Sequence, residues 1–171
     1  MGVYSTVRPD SAILRDLKGL KSVVILCCSS CANTSIAYDK ELPVSRILTD
    51  SATGRTKTIP VAIVEEANRL KVVLENNGIK ASCEIFAAPC VLSDDIAREQ
   101  SEILKRCDEA EAVVTLFCPS GMLGIKRVLR EKIKLVPGMK TLGLWQRYTF
   151  IDHEKGLIYI DKSKFAIIRN R

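Results

Sequence analysis

The chain predicts an α/β domain, a three-layer, Rossmann-like or flavodoxin-like fold with a mainly parallel sheet and a C-terminal β-hairpin. Three observations carry that expectation. Residues 22–27 form a short continuous apolar run of the kind buried on both faces, and 79–87 and 112–117 read as the second and third strands. Segments with helical apolar spacing separate them, the order that right-handed crossovers require. Each run also ends in a turn carrying cysteine: Cys27-Cys28-Ser29-Ser30-Cys31, Ala88-Pro89-Cys90 and Phe117-Cys118-Pro119-Ser120-Gly121.

Taken in order, residues 1–11 read as an irregular N-terminal arm. Ile13, Leu14 and Leu17 have helical spacing, and Gly19 is a stop. Residues 32–58 carry no periodic pattern beyond a short strand at 44–48. Turn-forming Asp39-Lys40-Glu41-Leu42-Pro43 and Asp50-Ser51-Ala52-Thr53-Gly54-Arg55 mark them as a long irregular excursion. Pro60 opens a helix whose stripe is Val61, Val64, Ala67, Leu70, Val73 and Leu74, ending at Asn76-Asn77-Gly78. Ser93-Asp94-Asp95 is an N-cap with acidic first-turn residues, leading a helix to about Lys105. A further helix is expected at 121–133 and a fourth parallel strand at 140–145. His153-Glu154-Lys155-Gly156 lies between two strand-like runs, a hairpin signal within the tail 147–171.

Length and composition set the outer bounds. At 171 residues, 47% hydrophobic and 27% charged, the sequence reads as one domain over 1–171. No apolar run approaches the roughly 20 residues of a membrane span, and the start lacks a signal-peptide pattern, so a cytoplasmic protein is expected. The net charge of +6 suits an acidic partner. Basic residues are dispersed and aromatics are only 5%, so nucleic acid is not expected as a ligand.

Seven cysteines against one histidine concentrate the chemistry in sulfur. Reduced cytosolic thiols, and an odd count, argue against a disulfide framework. In a parallel sheet, sites form outside the carboxyl ends of the strands, where Cys28, Cys31, Cys90 and Cys118 would meet. Four thiolates suit a 4Fe–4S cluster or zinc; one close pair plus two distant singles leans towards the cluster. Cys83 in mid-strand and Cys107 on an apolar helix face read as core, and Cys27 as a strand-end neighbour of Cys28. Gly121 and Gly124 leave room for a cofactor. Cys28 and Cys31 also form a Cys-x-x-Cys pair suited to thiol redox chemistry. That option ranks lower, because the residues after Cys31 do not clearly begin a helix. A P-loop, a complete GxGxxG and a Ser/His/Asp set are all missing, so an accessory, non-catalytic role is expected.

A strand into Cys28-Ser29-Ser30-Cys31, a second ending in Cys90 and a third running into Cys118-Pro119-Ser120-Gly121 together resemble a known family. It is the methylenetetrahydrofolate reductase C-terminal-like domain family of small, MetV-like metal or iron–sulfur subunits. Pro137-Gly138-Met139-Lys140-Thr141-Leu142-Gly143 is similar to the family's lead into its last strand, and the likeness covers roughly 15–146. The resemblance implies a metal-binding α/β subunit that docks on a flavin-containing methylenetetrahydrofolate reductase in one-carbon metabolism and relays electrons. This sequence departs from the family in having no cysteine after Cys118, so the second cysteine-rich stretch is missing, and in the long 32–58 segment. The expected function is therefore an iron–sulfur electron-transfer or docking subunit with a flavoprotein reductase partner. The alternatives are a zinc-stabilised structural adaptor and, third, a Cys-x-x-Cys thiol oxidoreductase.

Overall fold

The computed structural model describes residues 1–87, 96–129 and 133–169. From the N-terminus these form β1 (Gly2–Val7), α1 (Asp10–Asp16), β2 (Ser22–Cys28), α2 (Cys31–Lys40), β3 (Ser45–Thr49) and β4 (Thr56–Pro60). Then follow α3 (Ala62–Asn76), β5 (Lys80–Phe86), α4 (Ile96–Cys107), β6 (Ala112–Leu116), α5 (Pro119–Leu129) and β7 (Lys134–Pro137). The last part holds β8 (Met139–Gln146), β9 (Thr149–Asp152), β10 (Leu157–Ile160), a 3-10 turn (Lys162–Lys164) and β11 (Ala166–Arg169).

The expectation of a Rossmann-like or flavodoxin-like, mainly parallel fold is overturned. One four-stranded parallel sheet, ordered β5-β2-β6-β7, is accompanied by two antiparallel sheets, β1-β8-β11 and β4-β3-β10-β9. Continuous apolar sequence explains the parallel sheet. Every residue of β6 is buried, as are 23–28 of β2. The strand order gives the layers: α3 packs on β5 and β2 with α1 beside it, while right-handed crossovers carry α4 and α5, which touch each other, to the opposite face.

Gly138 is where the chain leaves the parallel sheet. Its N–H bonds Thr115 O at 2.8 Å, and a Cβ there would lie 2.9 Å from both that oxygen and the Leu116 side chain. The segment 140–145, expected as a fourth parallel strand, instead belongs to β8 and runs antiparallel between β1 and β11; β7 takes the fourth place. The pattern of β8 fits an antiparallel strand with a wet face: Met139, Gly143 and Trp145 are buried while Lys140, Leu144 and Gln146 are exposed. Residues 1–11 are correspondingly not an arm. β1 pairs with β8 from Gly2↔Trp145 to Val7↔Met139, and Trp145 donates its indole N–H to Val3 O at 2.9 Å.

The 32–58 excursion is ordered, another correction. It contains α2 and the β3–β4 hairpin, whose turn is held by the Asp50 carboxylate accepting from the Ala52 and Thr53 N–H groups at 2.9 Å each. Nothing in α2 alternates, because it is buried nearly all round: Ala32, Asn33, Thr34, Ser35, Ile36 and Ala37 are all covered. Its polar residues are satisfied instead. Asn33 donates to Val44 O at 2.8 Å and accepts from Ile63 N–H at 2.9 Å, and Ser35 Oγ accepts from Ser5 N–H at 3.2 Å. The C-terminal hairpin β9–β10 is present and joins the 32–58 hairpin through Leu157↔Arg46. Stacked Tyr38 and Phe165, 4.0 Å between centroids, fasten the chain beyond it to α2.

The remaining boundaries move by a few residues. The helix expected from Pro60 begins at Ala62, and the one expected at 121–133 is α5 at Pro119–Leu129. The Ser93-Asp94-Asp95 cap lies outside the described residues, as does Cys90. Among the described residues no helix is long and apolar enough to cross a membrane.

Candidate functional site

β2 sends its chain to one face of the parallel sheet, and its neighbours β5 and β6 send theirs to the other. The topological switch point therefore lies at the carboxyl end of β2, the position at which parallel sheets bind ligands. Cys28 is the last residue of β2, and Cys31 is the first of α2. On the adjacent strand, Leu116 ends β6, and Cys118 directly precedes Pro119, the first residue of α5. Two helix N-termini, the positive ends of their dipoles, therefore flank the same place.

Cys31 and Cys118, which belong to different loops, are near enough for each side chain to shift the other's acidity. Both are free thiols. Their acidities split. The Cys118 thiol, together with the Val3 backbone, Ser30 and the charge of Arg147, brings Cys31 down to about 5 against opposing desolvation. Cys118 is pushed well above the ordinary thiol range first by hydrogen-bond coupling to the Cys31 side chain, then by burial and, less, by the charge on Cys31, although the Gly121 and Ser120 backbone groups pull the other way. The two behave as one site that loses a first proton readily and holds the second.

The other cysteines are differently placed. Cys28 is buried and its sulfur accepts from Ser30 N–H at 3.4 Å. Cys27 is wholly buried, and burial pushes its thiol well up. Cys107 is buried and raised to about 11 by desolvation. Cys83, half-buried and also raised by desolvation, donates to Ala67 O at 3.5 Å. Of the sequence-expected ligands Cys28, Cys31, Cys90 and Cys118, the structure thus brings Cys31 and Cys118 together and keeps Cys28 three residues away at the strand end. Cys90 lies outside the described residues. Its segment leaves β5, where Ser29 is tied down by its N–H to Phe86 O at 2.9 Å and its hydroxyl to Ala87 O at 3.1 Å. Among the described residues no group of three or more His, Cys, Asp or Glu side chains is arranged as a metal site. Gly121 and Gly124 are buried in α5. His153 is exposed in the β9–β10 turn.

Arg147 is a site residue that the sequence did not single out. It follows β8, donates to Thr34 Oγ1 at 2.7 Å, and sits 5.2 Å from the centroid of the Trp145 ring. Desolvation lowers its pKa while the charge of Cys31 raises it. No local pattern points to it, since its hydrogen-bond partner Thr34 comes from α2, more than a hundred residues away in the chain. The start of α2 did leave a signal: Ser29-Ser30 before Cys31 is a permissible cap.

Comparison with known proteins adds no name to this geometry: no family model, no curated protein and no solved structure matches the chain.

Proposed function

We propose that this chain is an iron–sulfur electron-transfer or docking subunit in which Cys28, Cys31, Cys90 and Cys118 hold a 4Fe–4S cluster. The observation carrying the reading is that Cys31 and Cys118, free thiols that shift each other's acidity, follow the carboxyl ends of two adjacent parallel strands. The donor chemistry fits such a group. The converging side chains are all sulfur, with no carboxylate among the described ones, and soft thiolates select iron–sulfur clusters or zinc. When bound, a cluster supplies one-electron transfer at a potential set by its surroundings. The chain's own part is to hold one sulfur ionised at a helix N-terminus, to shield Cys118, and to anchor the Cys28–Cys31 loop on β5 through Ser29. The partner proposed is a flavoprotein reductase of the methylenetetrahydrofolate reductase kind, in one-carbon metabolism, on the strength of the motif resemblance. Zinc in the same four thiolates would instead make the chain a structural adaptor. Anaerobic preparation followed by iron, sulfide and zinc analysis decides between them: iron with matching sulfide supports the cluster, whereas a colourless protein with one tight zinc rejects electron transfer.

A second reading is favoured by a specific observation. Cys31 opens α2, the placement that activates thiol nucleophiles, which removes the sequence-level reason for ranking thiol chemistry low. The pair is then Cys31 with Cys118, not Cys31 with Cys28. A metal-free protein that forms a reversible Cys31–Cys118 disulfide in a glutathione redox series, and never takes up iron or zinc, establishes this reading over the first.

A further inference from the structure

We propose that β9 is a pairing edge for a second copy of this chain, the two strands running antiparallel about a two-fold axis at Phe150. β9 ends the sheet β4-β3-β10-β9, so among the described residues one side of its backbone has no strand beside it. The other sheet edges are guarded. β4 carries Lys57 and Pro60, β7 carries Lys134 and Pro137, β5 carries Lys80, and β11 ends in Arg169. β1 lies against α2, where Ser35 Oγ takes the Ser5 N–H at 3.2 Å. β9 has neither a basic residue nor a proline. Its Phe150 and Ile151 are 52% and 44% exposed, and its one charge, Asp152, sits at the strand end, 3.1 Å from Lys155.

The ladder fixes which backbone groups point outward. Asp161 N–H donates to Tyr148 O at 2.9 Å, and bonds to one neighbour alternate along an antiparallel strand, so Phe150 and Asp152 also face β10. The N–H and C=O of Thr149 and Ile151 therefore point away from β10. In the register that overlaps the whole strand, Thr149 of each copy exchanges both backbone bonds with Ile151 of the other. The two Phe150 residues then meet as a non-hydrogen-bonded pair, the kind with the closer side chains. Phe150 already stacks on Tyr159 at 5.7 Å between centroids, and both rings border a cavity of about 220 Å³ beside Leu42, an apolar surface for the second Phe150. Charge fits the antiparallel sense. Arg147 precedes the strand while Asp152 and Glu154 lie at its far end, so pairing brings opposite signs together at each end, where parallel pairing would set like against like.

The test is sedimentation equilibrium of the full, reduced chain over a range of concentrations. Wild type is expected to associate reversibly to twice the 18.9 kDa chain mass. A monomer at every concentration up to hundreds of micromolar overturns the proposal and leaves the edge to an extended segment of another protein. Ile151→Lys puts a guard on the edge and should weaken the dimer at least about tenfold. Adding Thr149→Glu should restore it, because the register sets 149 opposite 151 of the second copy. Leu48→Lys, at an exposed residue of the interior strand β3, should leave the dimer intact. A dimer that survives Ile151→Lys, that Thr149→Glu does not restore, or that Leu48→Lys breaks equally also overturns the pairing. Metal content plays no part in these readouts, so neither result bears on the cysteine centre.

Discussion

Two charged clusters in this molecule look alike at first and differ in how they are closed. In the first, the Glu66 carboxylate of α3 is fully buried and is met by Lys40 from the end of α2 and by Arg69, which also forms a two-pronged bond to Asp10 at 2.7 Å per arm. Every charge there has an opposite partner, and the cluster ties α1, α2 and α3 together. The second lies at the carboxyl end of β2, where Cys31 and Cys118 shift each other's acidity and Arg147 is bonded to Thr34 of the same helix, with no carboxylate among the described residues. A cluster complete in itself holds a fold together. One whose donors are all soft and lie at strand ends is what the proposed metal centre would use.

The largest expected effect breaks the first cluster and leaves the second. Arg69→Met leaves the buried Glu66 with Lys40 alone and frees Asp10, and should lower unfolding free energy by about 3 kcal/mol in urea titrations. Metal content per folded chain should stay at the wild-type level. Loss of metal in that variant would mean the two clusters are coupled. Next in size, Asn33→Ala leaves the buried Ile63 N–H without its acceptor and takes one of two donors from the Val44 carbonyl, which keeps Val61 N–H, at a cost of roughly 2 kcal/mol. Because Asn33 sits in the first turn of α2, metal or thiol reactivity at Cys31 should fall with it.

The sharpest contrast is chemical and costs little stability. Cys118→Ala should abolish the centre, whereas Cys83→Ala, at a thiol bonded only to the Ala67 carbonyl, should leave metal content unchanged. The smallest effect is a pH dependence. Arg69 holds Asp10 below the usual carboxylate range, first by hydrogen bonding and then by charge, against a desolvation that opposes it. A depressed folded-state pKa stabilises above the unfolded value near pH 4, and that contribution is lost as pH falls through the folded value. Asp10→Asn should flatten this acid limb of a stability–pH curve and leave the neutral region merely offset.

How legible the molecule was follows from the same contrast. β2 and β6 were readable because strands buried on both faces are continuous apolar runs, and with them the placing of Cys28, Cys31 and Cys118 at strand ends. α2 was not readable. Its Asn33, Thr34 and Ser35 are buried through specific hydrogen bonds, and such a helix has no apolar stripe to detect. The antiparallel sheets were hidden for another reason: β1 with β8, and β3 with β10, pair segments more than a hundred residues apart, and only tertiary packing selects those registers. Missing α2 also cost the site its most informative feature, the helix N-terminus under Cys31, and with it Arg147.

The central claim is that Cys31 and Cys118 belong to one metal-binding centre completed by Cys28 and Cys90. The most direct measurement is iron, acid-labile sulfide and zinc per chain in anaerobically prepared wild type, Cys118→Ala and Cys90→Ala. The account predicts a cluster's complement of iron and sulfide in the wild type, and its loss in both variants to a similar degree. A wild type without metal, or either variant with its metal intact, would contradict it.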